Sequence, residues 1–67
     1  MTHGRSLSPY ETTELLRKTT LQTREVAALL SVSPRTVERY LNDGRIAFRT
    51  TLGGHRRTLT ASLLKHL

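Results

Sequence analysis

Two short helices joined by an equally short turn confine this chain more tightly than any other feature of it. Val26, Ala27 and Leu30 share one face at the i, i+1, i+4 spacing of a packed helix. Ser31-Val32 breaks that pattern, and Ser33-Pro34 then supplies the capping hydroxyl and first-turn proline of a second helix. In the second helix Val37, Tyr40 and Leu41 face inward, which leaves Arg35, Thr36, Glu38, Arg39 and Asn42 outward. Gly44 closes it, because glycine accepts the left-handed backbone with which helices end.

The turn and the two helix lengths fit a helix-turn-helix arrangement, with small Ala27 at the close crossing and Val32 plugging the core. From Arg45 the period changes to two: Ile46, Phe48 and Thr50 alternate with Ala47, Arg49 and Thr51, as in a half-buried strand. Leu52-Gly53-Gly54-His55 has the chemistry of a hairpin turn, and Arg56 to Leu59 can return as the second strand. Thr60 is positioned to cap a last short helix whose Leu63, Leu64 and Leu67 come back to the core. Upstream, Ser8, Pro9 and Glu11 form the start of a helix expected over about 9–18, with Tyr10, Leu15 and Leu16 inward. Thr19-Thr20 interrupts it, and the following helical element is expected to begin at Leu21. Residues 1–7 show no helical period and read as an arm or an added strand.

At 67 residues the chain is one domain, near the lower limit for folding without a staple. It has no cysteine, which excludes disulfides and thiolate metal sites; His3, His55 and His66 are too scattered to form a ligand pair. No metal or cofactor is expected. No apolar run approaches the ~20 residues of a membrane span, and the first residues lack the apolar stretch of a signal peptide. A cytoplasmic, nucleoid-associated protein is the expectation. Ser and Thr side chains fall at caps and turns without a His-Asp partner, and no paired carboxylates occur, so no catalysis is expected.

The net charge of +6 is uneven, with +1 over residues 1–30 and +5 over residues 31–67. Nine of the eleven cations are arginine, whose planar fork suits phosphate oxygens and guanine edges. The balance points to a polyanionic partner, nucleic acid first and an acidic membrane a distant second.

From Leu21 to about Leu64 the sequence resembles the MerR-like winged helix-turn-helix superfamily, in its phage excisionase and small BldC-type branches. The matching residues are Glu25-Val26-Ala27, Leu30, Val32 to Val37, Arg39, Gly44-Arg45-Ile46 and Leu52-Gly53-Gly54-His55-Arg56-Arg57. It departs from the usual pattern at Gln22, where Thr is common, at Tyr40, where Trp is common, and at Thr58, where Tyr is common. The resemblance implies a mainly α fold with a small β-hairpin, a winged helix-turn-helix domain over residues 21–67. Residues 1–20, an arm and helix outside the resemblance, are left for contact with another protein.

The expected DNA-binding residues are Ser33, Arg35, Thr36, Arg39 and Asn42 on the recognition helix, and Arg49, Gly53, Gly54, His55, Arg56 and Arg57 on the wing. Arg35 and Thr36 occupy the first turn, where a helix N-terminus favours phosphate. Arg39 reads a base edge or phosphate, or else pairs with Glu38, Glu25 or Asp43. Asn42 contacts DNA or is a solvated cap; Glu38 orients Arg35 or Arg39, the leading reading, or accepts from a cytosine amine, or repels incorrect sequences. Gly53 and Gly54 serve backbone geometry. Alternation puts Arg56 and Arg57 on opposite strand faces, Arg57 being a DNA contact or a bridge over the sheet. Arg45 and Arg49 are supporting phosphate residues, and His66 is expected in solvent.

By resemblance, the leading function is that of an excisionase, or recombination directionality factor. Such a protein binds repeated attachment-site sequences side by side and bends the DNA, directing a tyrosine integrase toward excision. One recognition helix reads few bases, so adjacent copies are expected to bind together. The alternatives are a small BldC-type regulator on promoter direct repeats, and an adaptor whose basic face docks an acidic protein such as an integrase. A MerR activator proper is disfavoured because the chain stops at Leu67 without a long dimerisation helix.

Overall fold

The computed structural model of the chain describes residues 7–67; the expectations for the N-terminal arm and His3 fall on residues 1–6, outside the described residues. Helix α1 spans Pro9–Leu16. It starts as the Ser-Pro-x-Glu signal dictates: Glu11 N–H donates to Ser8 Oγ at 3.1 Å, and Ser8 N–H donates to Glu11 Oε1 at 2.9 Å. Its end comes earlier than expected, at Leu16. Of its apolar residues Leu15 packs against the core, Leu16 is half-buried and Tyr10 is 73% exposed, not inward.

Thr20–Leu21 forms strand β1, where the sequence had suggested the beginning of a helix at Leu21. Two residues carry too little pattern to announce a strand; the partner strand makes it one. Helix α2 follows over Thr23–Leu30, with Gln22 N–H donating to Glu25 Oε1 at 2.8 Å. Glu25 Oε2 also accepts from Lys18 Nζ at 2.7 Å, tying the end of α1 to the start of α2. Ser31 ends α2 in the left-handed region (φ 58°), and Val32 N–H donates back to Ala27 O at 3.0 Å. That turn delivers the chain to α3, Pro34–Asn42, capped by Ser33 Oγ accepting from Thr36 N–H at 3.2 Å. Gly44, at φ 77°, reverses the chain after α3.

The hairpin is β2, Phe48–Thr50, and β3, Arg56–Leu59. The first strand is shorter than the alternation suggested: Ile46 is buried, but it precedes the ladder. β3 lies in the middle of a three-stranded antiparallel sheet of order β1-β3-β2. Leu21 and Phe48 both stand opposite Thr58, and Arg49 stands opposite Arg57. Helix α4, Thr60–His66, completes the chain. Its cap residue is Leu59, which has no side-chain oxygen to offer; Thr60 lies inside the helix with its Oγ1 buried and without a partner. Ala47 N–H donates to Ser62 Oγ at 2.8 Å, fastening α4 to the entry of the wing.

The core is Leu21, Val26, Ala27, Val37, Leu41, Ile46 and Leu63, with Leu15, Leu29, Leu30, Val32, Tyr40 and Phe48 packed around it. α4 is too short to bury more than one stripe, so Leu64 and Leu67 remain 49% and 72% exposed, against the expectation that they return to the core. His66 is exposed, as expected, with its ring 5.3 Å from that of Tyr40, and Arg45 stacks on the same Tyr40 ring at 5.7 Å. Among the described residues, four helices and a three-stranded antiparallel sheet, mainly helical, make this a winged helix-turn-helix.

Candidate nucleic-acid interface

Helix α3 has a buried face and an exposed one opposite it. Val37 and Leu41 are buried, with Tyr40 half-buried beside them. At 3.6 residues per turn, Arg35, Arg39 and Asn42 fall within an arc of roughly 60° on the opposite side. All three are exposed. The nine residues of α3 give it a length of about 13.5 Å, and the diameter of an α-helix with its side chains, about 10–12 Å, fits a major groove about 12 Å wide.

The wing is attached to that outward face. Arg56 Nη1 donates to Asn42 Oδ1 at 2.7 Å, and the same guanidinium lies 4.9 Å from the centre of the Phe48 ring. Asn42 is therefore more than a helix end in solvent: it is the point where recognition helix and wing meet. The tip is braced by Thr51 N–H to His55 O at 2.8 Å and Gly54 N–H to Thr51 O at 2.9 Å. Gly54 has φ 82°, the left-handed geometry that the turn demands. Gly53 answers a different need, since a Cβ there would sit 3.2 Å from His55 Cδ2.

Between α3 and the wing runs an open groove of about 780 Å³. Its walls are Pro34, Glu38 and Asn42 of α3, Gly54 to Arg57 of the wing, and Gln22, Thr23 and Arg24 at the start of α2. Among the lining residues Arg24, Arg56 and Arg57 supply the arginines and Glu38 the single carboxylate. The contribution from the start of α2 was absent from the sequence reading, which counted Arg24 only as charge. The usable signal was the helix-turn-helix arrangement itself, whose first helix crosses the phosphate backbone.

Among the described residues, Arg35 and Arg39 form no side-chain hydrogen bond or ion pair, and neither do Glu38 and Asp43. The alternative pairings considered for Arg39 are not made, and Glu38 does not brace either arginine. Ser33 and Thr36 are engaged with each other, Oγ to Oγ1 at 3.0 Å. On the outer face of the sheet Arg49 and half-buried Arg57 stand directly opposite, with no carboxylate bonded to either. Arg57 thus makes no bridge over the sheet. Like charges so placed repel, and an anion laid between them would relieve the repulsion. Arg45, turned to Tyr40, lies outside the groove lining.

The arrangement presents guanidinium groups on a helix sized for a major groove and on a hairpin beside it. Chemically it can hold phosphate oxygens and read base edges, the two kinds of contact a duplex offers. Among the described residues no cluster of His, Cys, Asp or Glu could hold a metal ion, and no helix is long and apolar enough to cross a membrane.

A search of curated proteins finds no match to the chain. A family model described as a helix-turn-helix domain matches residues 20–67, covering both helices of the turn, the wing and α4. On that match the chain belongs to the helix-turn-helix domain family, a membership that supports sequence-specific DNA binding.

Proposed function

We propose that the chain is an architectural DNA-binding protein of the phage excisionase type, within the MerR-like winged branch. In this reading it binds repeated sites in an attachment region and bends them, so that a tyrosine integrase is directed toward excision. The observation that carries the DNA-binding part is the bond from Arg56 to Asn42. It joins the wing to the same α3 face that bears Arg35 and Arg39, giving one continuous cationic surface. Arg35 and Arg39 enter the major groove, with Asn42 at their side. Arg24, His55, Arg56 and Arg57 follow the adjoining phosphates, and Arg49 supports the wing from its outer face. Ser33 and Thr36 shape the helix start, where backbone N–H groups favour a phosphate.

Copies bound side by side make up for the few bases that one short helix reads. Residues 1–20 supply the link between them. Tyr10 is 73% exposed beside Leu7 and Leu15, along a shallow groove of about 400 Å³. Because Leu15 packs on the core and Thr20 is in the sheet, the link is best tested by Tyr10→Glu rather than by deletion. The expected result is unchanged binding to one site with weaker binding to tandem sites.

The function is tested by selecting bound fragments from the source genome. Recovery of repeats at an attachment region beside an integrase gene supports excision; recovery of promoter repeats moves the chain to the regulator reading. If about five phosphates are neutralised, log affinity falls with log salt at a slope of about −4.5. A slope near zero would favour an adaptor that docks an acidic protein. Arg39→Ala is expected to weaken specific binding by ~1–3 kcal/mol and relax discrimination at one position.

A further inference from the structure

Leu52 crowns the wing and touches nothing: its relative exposure is 110%, as for a side chain with no neighbours. A lone exposed leucine is ordinary on a protein surface. This one differs in how it is held and in what surrounds it.

It is held on a braced loop. Besides the two backbone bonds across the tip, His55 N–H donates to Thr51 Oγ1 at 3.2 Å. The loop therefore presents Leu52 in a fixed direction. Its surroundings are cationic, with Arg49, Arg56 and Arg57 on the strands that carry the tip. From Gly44 to Leu67 the sequence has no aspartate or glutamate. An apolar knob ringed by positive charge is poorly matched to the apolar face of another protein. It is well matched to a minor groove, where phosphates line both rims and an apolar side chain can slip between the apolar faces of two stacked bases.

We propose that Leu52 is a wedge that enters the minor groove beside the site of α3 and opens a base step, kinking the duplex. This rests on the DNA-binding reading above and assigns the bend in it to one side chain. Apolar wedges of this kind unstack a step at modest expense and gain a bent duplex that meets more protein surface. The bond from Arg56 to Asn42 ties the wedge to the recognition helix, so the kink falls at a fixed distance from the bases that α3 contacts.

The test uses the full chain and a duplex carrying one binding site obtained by in vitro selection. 2-Aminopurine is placed at successive steps flanking the site, and a dye pair on the duplex ends reports the bend. Wild type is expected to raise the emission of one flanking position by on the order of threefold and to shorten the end-to-end distance. Leu52→Ala should return both signals to those of the uncomplexed duplex, with affinity reduced by less than about tenfold. Leu52→Met, which keeps an apolar knob, should retain both. Since Leu52 makes no contact in the fold, all three proteins should melt together. Unchanged emission and bend in Leu52→Ala would overturn the wedge. So would an intact single-site bend with lost cooperativity on two adjacent sites, which would assign Leu52 to a neighbouring copy. Failure of wild type to bind any duplex would instead remove the DNA-binding reading, and the wedge with it.

Discussion

Arg56 and Asn42 are bonded across the gap between wing and recognition helix, Nη1 to Oδ1 at 2.7 Å. The bond adds a polar tie between two elements whose connection, residues 43–47, is exposed except at buried Ile46. It also occupies one arm of a guanidinium and leaves the rest of the fork for an outside acceptor.

If Asn42 acts by positioning Arg56, the two residues should not contribute independently. Asn42→Ala should weaken DNA binding severalfold, and Arg56→Ala more strongly. The double variant should be little worse than Arg56→Ala alone. A double-mutant cycle read by fluorescence anisotropy is expected to give a coupling of about 0.5–1.5 kcal/mol, the net worth of one such bond. Strictly additive losses would show that the two residues meet DNA separately.

Thr58 is a cost the fold carries without visible return. It is fully buried between Leu21 and Phe48 in the sheet register, and its Oγ1 has no hydrogen-bond partner. Thr58→Val keeps the branched shape that suits a central strand and removes the stranded hydroxyl. It should stabilise the protein by about 1–2 kcal/mol in urea unfolding, with the salt slope of DNA binding unchanged. A loss of stability would mean that the hydroxyl has a partner in solution, such as a buried water.

Much of this arrangement was legible in the sequence because capping chemistry is local. Ser8-Pro9, Ser33-Pro34 and Gly44 need only their immediate neighbours to start or stop a helix, and each does so where expected. The Gly53-Gly54 tip and the return strand Arg56–Leu59 are likewise as read. What escaped was set by contacts distant in sequence. β1 exists because β3 pairs with it, and nothing in Thr20-Leu21 alone says so. Thr60 looked like a cap until the sheet took Leu59 to that position. The bond to Asn42 joins residues 14 apart, and the arc of α3 could suggest such a meeting but not supply its partner. Arg24 was missed for the same reason, since only the packed fold brings the start of α2 to the groove.

Glu25 joins three segments through one carboxylate, and this makes part of the stability depend on pH. Burial alone would push its pKa up. The bond from Lys18 and the Gln22 N–H, helped by the charges of Lys18 and Arg24, outweigh burial and hold it below the ordinary value. A carboxyl lowered on folding stabilises the fold fully above its unfolded pKa, near ~4.3, and loses that contribution as pH falls through the lowered value. Glu25→Gln keeps an acceptor for Gln22 but cannot ionise. The gap in Tm between wild type and Glu25→Gln should thus be widest near neutral pH and close below about pH 4. A gap of constant width across that range would exclude the charge as its source.

Arg49 offers a trade between folding and binding that can be measured in one substitution. It faces Arg57 directly across β2 and β3, and the repulsion between them is not offset by a carboxylate. Arg49→Thr replaces it with a good strand former and relieves the pair, so the unliganded protein should gain about 0.2–1 kcal/mol. If the two guanidinium groups share a phosphate on DNA, the same change should weaken binding. The magnitude of the salt slope should drop by about 0.9, corresponding to one phosphate contact. Greater stability with weaker, less salt-dependent binding is the expected combination. Greater stability with unaltered binding would take Arg49 out of the interface and leave Arg57 as the only arginine of that pair to meet the backbone.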